Sequence, residues 1–156
     1  MTFTGYPEPP PYAYRHTLSD TGYRWIWKLH KASINPIRLQ DGRFLFRVGI
    51  GFYQNTRQVR TYNELRDHFF QVHEHSIALN NNFRLEDHQV AALLSLEETV
   101  GQFGLAASKV IWLLRHGDLS ELEEAWSRYS WPDGTFSRVE WDKRQAEYRC
   151  FIEGYS

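Results

Sequence analysis

Five basic side chains and one aromatic side chain form the first group that could do chemistry. They fall between residues 22 and 53, where apolar and polar residues alternate. In a sheet, this alternation would place them on one face, and an open basic face with an aromatic residue can follow nucleic-acid phosphates. The alternative is an ordinary solvated sheet face, which alternating charge keeps soluble. The group consists of Arg24, Lys28, Arg38, Arg43, Arg47 and Tyr53.

A second group lies in residues 99–118, TVGQFGLAASKVIWLLRHGD. Gly104 stands between two apolar residues, and small residues follow it at 106–108. This pattern resembles the helix-turn-helix segment of DNA-binding regulators, which implies a recognition helix presenting Lys109 and Arg115. Base readout needs forked donors and acceptors, which are scarce here. The alternative is a pair of core helices that approach closely at small residues.

Histidines form the third group, because several fall on or near one predicted helix from residue 62 to residue 80. Histidines on one helical face can bind zinc, but a zinc site needs further ligands. Neither an HExxH nor a CxxC pattern is present. We therefore predict no metal and no other cofactor. The histidines concerned are His68, His73, His75 and His88.

Familiar catalytic patterns are missing from the sequence. It has no glycine-rich phosphate loop and no GxSxG motif. The one thiol, Cys150, has no recognisable base nearby in sequence, and free cysteine commonly acts as a small buried apolar residue. We predict no catalytic residue, although an enzyme with a site scattered along the chain remains a third hypothesis.

Aromatic residues framed by charge suggest a protein interface. Trp126 and Tyr129 fall on one face of a predicted helix over residues 119–130, and Trp112 is expected to be exposed on the preceding helix. Trp and Tyr commonly anchor binding interfaces. The alternative is that these side chains complete the core of the domain.

These groups require elements to position them, and residues 22–61 indicate an antiparallel strand meander. Residues 23–30 alternate like a strand, and Asp41-Gly42 is a preferred two-residue hairpin turn. That turn predicts a register in which Leu39 faces Phe44 and Ile37 faces Phe46.

Helical signals dominate residues 62–156. Thr61 and Glu64 form a capping box that starts a helix, and further helices are expected at 85–100, 105–116 and 119–130. Ser137 and Glu140 form a second capping box, so we favour a helix for residues 137–153. Alternation of apolar residues from 146 to 152 keeps a strand as the alternative.

Length and composition limit the number of domains and the class of protein. The chain has 156 residues, of which 16% are aromatic, so it has the size and character of one folded domain. Residues 1–21, rich in proline and aromatics, are expected to be an arm, and residues 22–156 the domain. One cysteine and the absence of a signal-peptide pattern indicate a cytoplasmic protein. No segment is apolar for long enough to predict a membrane partner.

The sequence thus predicts an α+β fold in which an N-terminal meander of three to four strands packs against four to five helices. The predicted function is non-enzymatic binding of a macromolecule. A protein-binding inhibitor, adaptor or immunity-type accessory factor ranks first. A DNA-binding regulator that uses residues 22–53 and 99–118 ranks second. The oligomeric state is not predicted.

Overall fold

The structure is a computed structural model. It describes residues 14–31, 37–41, 44–48, 51–55, 61–81 and 84–156. Helices make up most of these residues: α1 Asp20–His30, α2 Tyr62–His73, α3 Asp87–Ala106, α4 Lys109–His116, α5 Leu122–Ser127 and α6 Arg138–Glu153. Two short 3-10 turns, Arg128–Ser130 and Pro132–Gly134, connect α5 to α6. No helix in the described ranges is long and apolar enough to cross a membrane.

The predicted first strand is in fact helix α1. Ser19 caps this helix, since its hydroxyl accepts a hydrogen bond from the Gly22 amide. Tyr23, Ile26 and Trp27 are buried together with the last residue, His30, which is the spacing of one helical face. The prediction of a strand at residues 23–30 is therefore wrong, because the helical period and the cap outweigh the alternation.

A small antiparallel sheet follows α1. Its strands are β2 Ile37–Arg38, β3 Phe44–Val48 and β4 Gly51–Asn55, in the order β2-β3-β4. Ile37 pairs with Leu45, so the predicted register, in which Ile37 faces Phe46, is wrong by one residue. Gly42 lies outside the described residues.

Strand pairing also fixes the start of the described chain. β1 Tyr14–Arg15 pairs antiparallel with β5 Asn80–Asn81. Leu18 is buried in the core just before α1. The division into an arm and a domain stays a prediction.

Helix α3 is the centre of the helical core. It is buried continuously from Gln89 to Glu97 and packs against both α1 and α6. Its backbone breaks at Gly101, where φ is 79° and ψ is 172°. Aromatic side chains of α1 and α2 pack edge-to-face beside this core, with Trp27 contacting Phe69 and Tyr62.

The two predicted helix caps are present. Thr61 accepts from the Glu64 amide at the start of α2, and Ser137 accepts from the Glu140 amide at the start of α6. The favoured prediction of a helix over residues 137–153 is confirmed by α6. The predicted fold class is nevertheless wrong, because the molecule is mostly helical, and the sheet is a small insertion between α1 and α2.

Candidate functional site

Six polar side chains of α1, α3 and α6 meet inside the helical core. We call them the buried polar cluster: His30, Ser95, Thr99, Glu140, Arg144 and Glu147. His30 is the last residue of α1, so the cluster lies at the C-terminal end of this helix.

Glu147 is the centre of the cluster. Arg144 donates to both of its oxygens, from Nε to Oε1 at 2.6 Å and from Nη2 to Oε2 at 2.8 Å. Trp126 Nε1 donates to Oε1 at 3.0 Å, and the Ser95 hydroxyl donates to Oε2. Two nitrogens of the Arg144 guanidinium and two neutral donors therefore satisfy the ionised Glu147 carboxylate, which has no contact with solvent.

His30 joins the cluster through Ser95. Its Nε2 lies 2.6 Å from the Ser95 hydroxyl oxygen. Because that hydroxyl donates to Glu147, the oxygen accepts from His30, which places the imidazole proton on Nε2. Burial, followed by the positive charges of Lys143 and Arg144, lowers the pKa of His30 to about 3. The imidazole is thus neutral at physiological pH. Its Nδ1 meets no hydrogen-bond partner among the described residues.

Thr99 and Glu140 connect the cluster to the surface. The Thr99 hydroxyl accepts from Arg144 Nη2 at 3.0 Å and donates to Glu140 Oε1 at 3.4 Å. The other oxygen of Glu140 lies 3.0 Å from Lys143 Nζ. Thr99 is half-buried, whereas Glu140 is buried. Of the two carboxylates in the cluster, Glu140 is therefore the one that contacts a partly exposed residue, Thr99.

A second buried ionic group joins α2 to α3. His73 lies between two carboxylates, with Nδ1 2.9 Å from Glu97 and Nε2 2.6 Å from Glu98. Burial lowers the pKa of His73, but the hydrogen bonds and negative charges of Glu97 and Glu98 outweigh burial and raise it to about 9. The imidazolium therefore stabilises the α2–α3 packing as an ion pair.

The fold has counterparts among solved structures. The muramidase domain of SpmX from Asticaccaulis excentricus superposes with a TM-score of 0.64 and 20% identity, covering 88% of this chain and 99% of that domain. The endolysin from Escherichia coli O157:H7 phage FAHEc1 superposes with a TM-score of 0.68 and 14% identity, covering 90% of this chain and 96% of the endolysin. No protein-family model and no curated protein sequence matches the chain.

The chain has the fold of this muramidase domain and this endolysin. This likeness contradicts the prediction of a non-enzymatic inhibitor, adaptor or accessory factor, and the DNA-binding alternative with it, because both structural neighbours are named for an enzymatic activity. The same two neighbours contradict the preference for a non-enzymatic protein over an enzyme.

The residues of the predicted basic face lie on different elements of the structure. Arg24 and Lys28 are exposed on helix α1, where the Arg24 guanidinium lies 3.8 Å from the centre of the Tyr62 ring. Arg38 is exposed at the end of β2. These residues do not share a sheet face, because α1 is not a strand. Arg43 lies outside the described residues, and only the backbone of Arg47 and Tyr53 is described.

The three residues of the predicted aromatic interface also differ in burial and do not form one surface. Trp126 is fully buried and donates to Glu147, so it belongs to the core rather than to a surface. Tyr129 is half-buried against that core. Trp112 is exposed on α4, whereas its neighbour Ile111 is buried.

The histidines of the predicted group do not come together at one site. His73 pairs with two glutamates, and His88 pairs with Glu86 and with the Cys150 carbonyl. Within the described ranges, no three His, Cys, Asp or Glu side chains form a group that could hold a metal ion. Burial raises the pKa of the Cys150 thiol to about 12, so this thiol is not a nucleophile at neutral pH.

The buried polar cluster was not predicted from the sequence. One signal was present: Glu140, Arg144 and Glu147 fall on the same face of α6 as Phe151. A charged stripe that continues into apolar residues is typical of a buried polar network. The sequence alone could not distinguish it from solvated i,i+3 and i,i+4 pairs.

Proposed function

We propose that this domain is a glycoside hydrolase that cleaves the glycan strands of bacterial peptidoglycan. The observation that carries this proposal is the match of fold with a muramidase domain and an endolysin over almost the whole length of both. A fold can host several functions, so the proposal also needs support from the side chains.

That support comes from the free energy needed to bury the ionic groups of the buried polar cluster. Removing ionic groups from water is expensive, and well-packed apolar residues often replace a buried ion pair without loss of stability. This domain instead retains Arg144 and Glu147 without solvent exposure, together with a neutral buried histidine. Burial lowers the pKa of His30 strongly, and groups with strongly altered pKa values concentrate at functional sites.

Glycoside hydrolysis usually requires two carboxyl groups on opposite sides of the scissile bond. Glu140 is our candidate from the helical core, because it borders the half-buried Thr99 and is fixed by Lys143. An ionised carboxylate there would stabilise the positive charge that develops on the sugar ring. The sequence from Lys31 to Arg60 contains a single carboxyl group, Asp41, which is exposed three residues after the end of β2. Asp41 is therefore our candidate from the sheet.

Cellular location bears on this proposal. The cytoplasmic location, inferred from the single cysteine and the absence of a signal-peptide pattern, stays a prediction. A peptidoglycan substrate would require the protein to leave that compartment.

The proposal is tested with purified peptidoglycan sacculi. We expect wild-type protein to sediment with sacculi and to release new reducing ends. Glu140→Gln and Asp41→Asn should each lower the rate of release about a hundredfold or more while leaving sedimentation unchanged, because each removes transition-state stabilisation rather than ground-state binding. Glu123→Gln, on the exposed side of α5, is the matched control and should keep full activity.

Two results would count against this account. Sedimentation without any release of reducing ends would contradict hydrolysis. Full activity of both Glu140→Gln and Asp41→Asn would leave hydrolysis intact but remove these two residues from the mechanism.

A further inference from the structure

An open groove lies on the surface between the start of α4 and the start of α5, and it shares no residue with the buried polar cluster. Its volume is about 430 Å³, within the range of roughly 300–1,000 Å³ that is usual for small-molecule sites. We call it the Trp112 groove. It is lined by Ala107, Ser108, Lys109, Trp112 and Glu121.

Trp112 is held in place although it is exposed. Its side chain is 52% exposed, and the His116 ring stacks on it with the centroids 3.8 Å apart and the planes 20° from parallel. His116 Nδ1 lies 2.7 Å from the Trp112 carbonyl oxygen, so this nitrogen donates and fixes the imidazole. A fixed indole offers a flat apolar surface to a ligand at little further cost in side-chain entropy.

The charges of the groove neutralise one another. Lys109 Nζ lies 3.3 Å from Glu121 Oε2, and both side chains remain partly exposed. The pair offers ammonium donors and carboxylate acceptors without net charge. This disfavours phosphates and acidic peptides, which would need an excess of positive charge. It favours a neutral ligand that has one apolar face and several hydroxyl or amide groups.

We propose that the Trp112 groove binds an N-acetylated pyranose unit of a glycan strand, as a second glycan-binding site outside the catalytic site. The C–H face of the sugar would lie on the indole of Trp112, and its hydroxyl and acetamido groups would contact Lys109 and Glu121. The choice of a cell-wall sugar rests on the proposed function. The groove would hold the domain on its polymeric substrate between cleavage events.

The experiment compares Trp112→Ala with Trp131→Ala, a control at another exposed tryptophan that packs against Phe136. The probe is chitotetraose, the linear tetramer of N-acetylglucosamine, and binding is followed by calorimetry. We expect Trp112→Ala to weaken binding about tenfold or more and Trp131→Ala to change it less than about twofold. Trp112→Phe, which keeps an aromatic face, should recover part of the affinity. The indole N–H resonance of Trp112 in wild-type protein should shift during the titration.

Several outcomes would overturn this proposal. Equal affinity of the two alanine variants would do so, and so would an unmoved Trp112 resonance in wild-type protein at millimolar chitotetraose, whether or not the variants fold. Loss of a wild-type dimer in Trp112→Ala, without any sugar binding, would assign the groove to a second copy of the chain. Failure of the hydrolase proposal is distinguishable: Trp112-dependent sugar binding without release of reducing ends leaves the groove and removes the catalysis.

Discussion

Arg144 and Arg138 stand on the same helix in opposite environments. The Arg144 side chain is 0% exposed and pairs with Glu147, whereas Arg138 is 75% exposed and pairs with Asp142 at 3.0 Å. A buried carboxylate left without its cation keeps the full cost of desolvation, while an exposed pair contributes little.

We therefore expect Arg144→Met to lower the free energy of unfolding by about 3–5 kcal/mol. Arg138→Met should change it by less than about 0.5 kcal/mol. Urea denaturation of both variants measures the difference. Similar losses for the two variants would show that Glu147 is not the buried ionised partner described above.

His73 predicts a loss of stability at alkaline pH. Its pKa in the folded protein is about 9, above the value of about 6.5 for an unperturbed histidine. The folded protein therefore holds this proton more tightly than the unfolded chain does. The stabilisation is fully present below pH 6.5 and disappears as the pH rises to about 9.

The check is a comparison of melting temperatures at pH 6 and pH 9. Wild-type protein should lose more stability over this range than His73→Gln, which has no proton to release. His30 acts in the opposite direction, because its lowered pKa makes the folded protein resist protonation and lose stability below pH 6.5. Identical pH profiles for wild type and His73→Gln would contradict the ion pair between α2 and α3.

At the scale of elements, the kink in α3 makes a prediction about Gly101. Its φ of 79° and ψ of 172° belong to a region that only glycine occupies readily. A Cβ added there would meet no atom within 4 Å, so the cost of a side chain is conformational rather than steric. We expect Gly101→Ala to destabilise the protein by about 1–3 kcal/mol.

D-alanine at position 101, introduced by semisynthesis, is the matched control for this prediction. It adds the same methyl group but favours positive φ, so it should restore stability close to that of wild type. If L-alanine and D-alanine behave alike in thermal unfolding, the kink is not set by backbone conformation.

Several elements were predictable from sequence because their signals are local. Thr61 and Ser137 mark helix starts through hydrogen bonds within three residues, and both caps are present in the structure. Helix α1 was not predicted, because Trp25, Trp27 and Leu29 also alternate as in a strand. The decisive signal was Ser19, just before the segment, whose capping role outweighs that alternation.

The candidate site was harder to predict because its partners are distant in sequence. Ser95 and Glu147 are 52 residues apart, and His30 and Ser95 are 65 residues apart. Only the packing of α1 and α6 on α3 brings these groups together. Until that packing is known, the charged residues of α6 resemble a solvated helix face.

At the scale of the whole molecule, function was inferred from the fold and not from a motif. Identities of 20% and 14% to the two structural neighbours leave little sequence signal, whereas the fold matches with TM-scores of 0.64 and 0.68 over 99% and 96% of their lengths. Packing constrains the pattern of apolar positions more than the identity of side chains, so a fold can persist after sequence similarity has been lost.

The most direct test of the central claim, that the domain hydrolyses glycan strands, follows oxygen from water into the product. Sacculi are incubated with wild-type protein in ¹⁸O-labelled water, and the released fragments are analysed by mass spectrometry. Hydrolysis adds one water molecule across each broken glycosidic bond, so each new reducing end should carry one ¹⁸O atom. Fragments that contain no ¹⁸O, or the absence of released fragments at stoichiometric protein, would contradict the claim.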